Sequence, residues 1–158
     1  MTDQRPPPSS FFGDAPARST PQSRALDFEL VAAREGVCEM RLPFRPDLVG
    51  DPATGALAGG AIYTLLDQAS GMAISGKLKL RAESEGRELR MGAMATLDFR
   101  MDHLRPAKPG RAVIGRAECV GVSGEVATVR GFAYDDDPTD PIALMQAAFM
   151  LSGTLAVA

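Results

Sequence analysis

From Gly60 to Ile74 the chain carries an apolar residue at almost every position a helix could turn toward a neighbour. Ile62, Leu65, Leu66, Ala69, Met72 and Ala73 fall at helical spacing on one stripe, and Tyr63 and Ile74 carry apolar character round a second side. The polar positions are few, chiefly Thr64, Asp67, Gln68 and Ser70. A helix this apolar around its girth is stable in water only when other structure encloses it. The rest of the chain must therefore supply an enclosure.

The flanking sequence reads as strands. Leu26, Phe28, Leu30 and Ala32 alternate with polar or smaller residues, and a second run from Val37 to Phe44 follows Arg34-Glu35-Gly36, a hairpin with Gly36 in its turn. Pro46, Gly50, Pro52 and Gly55 make residues 45–59 a loop leading into the helix. After the helix, residues 77–90 are highly charged and predict an exposed connector that continues the helix only briefly. Between Ala93 and Met101, Ala95, Leu97, Phe99 and Met101 alternate against Thr96, Asp98 and Arg100, which predicts a half-buried strand with the first set inward. Three more strands follow at 112–122, 125–134 and 142–151, joined by a tight Ser123-Gly124 hairpin and a longer turn at 135–141. Two strands, one long helix and four strands make an α+β chain in which a curved antiparallel sheet wraps one central helix.

At 158 residues, 45% hydrophobic and 23% charged, the chain suits one globular domain, assigned to residues 24–158. Residues 1–23 are rich in Pro and Ser, a composition that predicts a disordered tail, with Phe11 and Phe12 the residues able to tack it down. The net charge of −3 argues against nucleic acid as a partner. The absence of a long apolar run or a leader-like start argues against a membrane partner, so a cytoplasmic protein is expected. Cys38 and Cys119 lack metal-ligand spacing and read as small buried hydrophobes, and with His103 the sole histidine no metal site is expected.

One stretch carries more than packing. Gly55-Ala56-Leu57-Ala58-Gly59-Gly60, followed by Leu65-Leu66-Asp67-Gln68-Ala69-Ser70-Gly71, resembles the signature of PaaI-like hotdog-fold acyl-CoA thioesterases, Gly-x-x-His-Gly-Gly and then Leu-x-Asp-x-x-x-Gly. His103-Leu104-Arg105-Pro106-Ala107 is similar to that family's Tyr-Leu-Arg-Pro-Ala. The resemblance implies a hotdog fold and hydrolysis of an acyl- or aryl-CoA thioester to free acid and CoA. It implies a homodimer with shared active sites, paired further into a homotetramer, and no cofactor beyond the coenzyme A of the substrate. Gly59 of one subunit would supply an oxyanion N–H, with Gly60 beside it. Asp67 of the other would be general base or nucleophile, and Thr96 would help orient the water.

The residues support that chemistry independently. Amides of a helix's first turn have no intrahelical partner, and they and the dipole favour a developing oxyanion. Asp67, on an otherwise apolar helix, needs a partner or water to offset desolvation; a solvent-facing or hydrogen-bonded structural acid is the alternative. The same alternatives hold for the glycines, as turn formers, and for Thr96, as a strand residue on the solvent face. Two positions depart from the family pattern: Ala58 replaces its histidine, and Pro52 stands where an asparagine near the thioester is common. Both departures admit a catalytically weak acyl-CoA-binding protein as the rival reading. Tyr63, Met72 and Met94 are expected to shape the acyl pocket. Arg105, Lys108 and Arg111 are candidate partners of the CoA phosphates, and His103 reads as a strand-end packing residue.

Overall fold

The structure, a computed structural model, describes residues 20–153 and, for the backbone, 155–157. The expected tail falls mostly outside the described residues, Phe11 and Phe12 included. Its last part does not fit the expectation. Pro21–Ala25 forms a short helix, α1, because Thr20 and Ser23 cap each other reciprocally and Ser23 is buried.

The main sheet contains β1 (Glu29–Arg34), β2 (Val37–Leu42), β6 (Ala93–His103), β7 (Val113–Ser123), β8 (Val126–Tyr134) and β9 (Ala143–Ser152), in the order β1-β2-β7-β8-β9-β6 and antiparallel throughout. The β1–β2 turn has positive φ at both Glu35 and Gly36, the geometry whose twist matches a hairpin. Between β2 and the helix, a 3-10 turn at Pro46–Leu48 leads into a small pair of β3 (Val49–Asp51) with β4 (Ala56–Leu57). This is more order than the breakers in the loop suggested.

The central helix, α2, spans Gly59–Ser84 and lies against β2, β7 and β8. Leu65, Leu66 and Ile74 are wholly buried, each contributing about 1.5–3 kcal/mol relative to exposure. The helix runs well past Ile74, correcting the expected connector. Ile74, Leu78 and Ala82 recur every fourth residue and keep a buried line, while Lys79–Glu83 and Arg81–Glu85 pair along the exposed side. The connector then contributes β5 (Glu88–Arg90), paired with β10 (Leu155–Val157). Among the described residues no helix is long and apolar enough to cross a membrane. Cys38 and Cys119 are both buried free thiols, and burial, with the charge of Glu39, pushes Cys38 up to about 12.

β6 departs from its sequence pattern in one respect that matters. Its ladder to β9 pairs Thr96 with Phe149 and Asp98 with Ala148, leaving Leu97 as an extra residue in a bulge. A one-residue slip exchanges the faces of a strand. Met94 and Thr96 therefore turn toward α2 before the bulge, and Phe99 and Met101 after it, while Leu97 is 56% exposed rather than inward.

Candidate active site

Asp67 lies on the side of α2 that faces the bulged part of β6. It is half-buried, and Thr96 Oγ1 donates a 2.9 Å hydrogen bond to its Oδ1. That bond exists because of the bulge, since strict alternation from Phe99 would have sent the threonine to the opposite face. Among the described residues no other group donates to this carboxylate, and Oδ2 keeps its lone pairs.

An aromatic wall stands beside the acid. Tyr63, one turn earlier on α2, rests on Phe99 with ring centroids 4.1 Å apart and planes tilted by 41°. Partial burial, then the charges of Asp67 and Asp98, holds the Tyr63 hydroxyl above its ordinary value. Farther along, Met94 Sδ approaches the open face of Gly71, and Met72 is buried in the core. Phe99 was read only as a core residue in the sequence, since its ring contact depends on the bulge.

The start of α2 forms the second part of the site. Ala58 is the N-cap and offers no side-chain cap, and the Ala61 N–H closes the first turn on Ala58 O at 3.0 Å. The Gly59 and Gly60 amides precede that bond, and among the described residues no side chain caps them. A side chain on Gly60 would meet nothing within 4 Å, so this face is open. Pro52 sits in the exposed turn at the tip of the β3–β4 hairpin, whereas Ala58 leads from the base of that hairpin into the helix.

The three candidate phosphate-binding cations divide into two kinds. Arg105 is clamped: its Nη1 and Nη2 donate to the two oxygens of Asp135 at 2.9 and 2.8 Å, and Nη2 also donates to Asp140 O. Its Nε lies 3.1 Å from Asp140 Oδ2 but without hydrogen-bond alignment. These bonds hold Asp135 well below the ordinary carboxylate range and Arg105 well above its own. Lys108 and Arg111 are exposed and share Asp136. Among the described residues no three His, Cys, Asp or Glu side chains gather as a metal site requires.

Comparison with known proteins gives consistent matches. The sequence model of the thioesterase superfamily matches residues 54–142. The medium/long-chain acyl-CoA thioesterase YigI of Escherichia coli (strain K12) is 32% identical over 121 residues, covering 74% of this chain and 77% of that protein. A Pseudomonas aeruginosa protein of known crystal structure is 35% identical with a TM-score of 0.72, over 87% of this chain and 94% of that one. The phenylacetic acid degradation protein PaaI of Thermus thermophilus, in a mutant structure, is 26% identical with a TM-score of 0.66, over 84% and 99% of the two chains.

Proposed function

We infer the reaction from kinship: the chain belongs to the thioesterase superfamily, as a PaaI-like member with the hotdog fold, and is an acyl-CoA thioester hydrolase. Its substrate in this reading is a medium- or long-chain acyl-CoA, the class named for YigI, met in the cytoplasm. The observation that carries the assignment of residues is the half-satisfied Asp67, fixed at one oxygen by Thr96 and open at the other.

A water held by Oδ2 loses a proton to Asp67 as its oxygen adds to the thioester carbonyl carbon. The carbonyl electron pair moves onto oxygen, where the Gly59 N–H, with Gly60 beside it, stabilises the charge. Collapse breaks the C–S bond, and the departing thiolate takes the proton from Asp67, leaving a free acid and CoA. Direct attack by the carboxylate, with water opening the resulting anhydride, is the other balanced route. The Thr96 bond favours the first, because it orients the acid toward water. Neither route draws on a metal or redox cofactor.

Gly59 and Asp67 of one chain are eight residues apart on the same helix, about 12 Å along its axis. A carbonyl carbon near one acid is out of reach of its own helix start, which supports a site made by two chains, Asp67 of one facing Gly59 of the other. The long β6 edge beside Asp67, unpaired on its outer side among the described residues, supports a homodimer. Exposed Val126, Leu144 and Met150 on the outer sheet face support pairing of dimers into a tetramer. Lys108 and Arg111 are the cations proposed for the CoA phosphates, because exposed pairs such as theirs with Asp136 are worth little and exchange readily. Arg105 is withdrawn from that role, since its guanidinium is already committed to Asp135 and Asp140.

Thiol release from short, medium, long and aryl acyl-CoAs tests this reading. Asp67→Ala should lower kcat by at least about 100-fold, and equal rates for the two proteins would exclude the role of Asp67. The bare N-cap at Ala58 favours one rival, a weakly catalytic acyl-CoA binder. Tight calorimetric binding of a non-hydrolysable analogue with no turnover across the panel would establish it.

A further inference from the structure

The ring of His103 lies against the first residue of α2. A Cβ placed on Gly59 would stand 2.8 Å from His103 Nε2 and 3.1 Å from Cε1, so a side chain at this position would require the imidazole to move. Helical Cα–Cβ bonds tilt toward the N-terminus, the direction in which the first-turn amides also point. The tip of the ring therefore stands beside the helix start, toward the end to which the first-turn amides point.

The residue is held from behind and open in front. Its backbone is the last rung of β6, opposite Ala143, and the next amide, Leu104 N–H, donates to Ile142 O at 2.9 Å. The side chain is exposed, and among the described residues its ring makes no hydrogen bond. Ala58, the residue before Gly59, has no donor on its side chain. Strand-end packing, the reading from sequence, accounts for the backbone of His103 but not for the ring's approach to the helix start.

We propose that His103 is a substrate-contacting residue of this site, its imidazole N–H donating to the thioester carbonyl oxygen beside the Gly59 amide, and so supplying the side-chain donor that Ala58 lacks. The proposal rests on the thioesterase reading. A donor that strengthens its bond as charge develops acts on kcat more than on KM.

The test uses two substitutions and one spectroscopic probe in the full chain. His103→Phe keeps an aromatic ring without a donor and should lower kcat about 10- to 100-fold with little change in KM, whereas His103→Gln, which keeps an N–H, should retain most of the activity. Wild-type turnover in a folded His103→Phe protein would overturn the proposal. Because His103 is the chain's single histidine, its ring gives one set of imidazole NMR signals. They should shift on binding a 2-oxoalkyl-CoA thioether, which keeps a carbonyl but cannot be hydrolysed. Calorimetric binding of that compound with an unmoved imidazole would overturn the His103 assignment and leave the thioesterase reading standing. Neither binding nor turnover would overturn both.

Discussion

Asp67 and Asp135 both accept hydrogen bonds from neighbouring groups, and they are filled to different degrees. A carboxylate has about four lone-pair positions. Asp135, whose side chain is fully buried, has four donors: two from the Arg105 guanidinium and the backbone N–H groups of Lys108 and Asp136. Asp67, half-buried at the edge strand, has Thr96 alone among the described residues. A saturated acid has nothing left to offer a water or a substrate, so its bonds serve to hold the β8–β9 turn against the end of β6. An acid fixed at one oxygen and open at the other is oriented and still able to take a proton. The difference lies in the company each acid keeps, since the two side chains are the same.

Asp135→Asn should lower Tm on the order of 5–10 °C at neutral pH, because it leaves a largely buried guanidinium poorly paired, while kcat per folded molecule stays unchanged. Calorimetry and a thiol-release assay on one preparation check both. The same clamp predicts the acid limb of stability. Asp135 is held below its unfolded value, so its contribution is fully present above the ordinary carboxylate range, near 3.9, and is lost as pH falls through its folded value. The difference in Tm between wild type and Asp135→Asn should accordingly shrink as pH is lowered from about 5 toward 2; a constant difference would remove the clamp from the account. At the open end, Thr96→Val deletes one bond and keeps the shape, and should cost about tenfold in kcat with little loss of stability. Unchanged kcat would mean that Asp67 does not need orienting.

The sequence revealed these regions unevenly. The helix and main strands were legible because their apolar periods are long and because Asp67 interrupts an apolar run, and the Gly59-Gly60 pair marked the helix start. The far end of α2 was hidden by its charges, since only Ile74, Leu78 and Ala82 keep its buried line. The bulge at Leu97 left no mark, because no glycine or proline accompanies it; the alternation around Phe99 alone turns Thr96 outward, and it was the resemblance that named it for the site. The capping pair of Thr20 and Ser23 was lost in a Pro- and Ser-rich background. Arg105 with Asp135, and His103 with Gly59, join residues 30 and 44 positions apart in the sequence, contacts that no local pattern encodes.

In the proposed site the open acid of one chain works on a carbonyl held at the helix start of another, and mixed dimers separate this from a site within one chain. One chain carries Asp67→Asn and the other Gly59→Ala, whose new methyl group would press on His103 and disturb the cradle; each variant alone should be nearly inactive. Co-expressed with different tags and purified as mixed pairs, they contain one whole site and one doubly damaged site if the acid acts across the interface. Such pairs should recover about half of the wild-type rate. A mixed dimer no faster than its two parents would contradict the account.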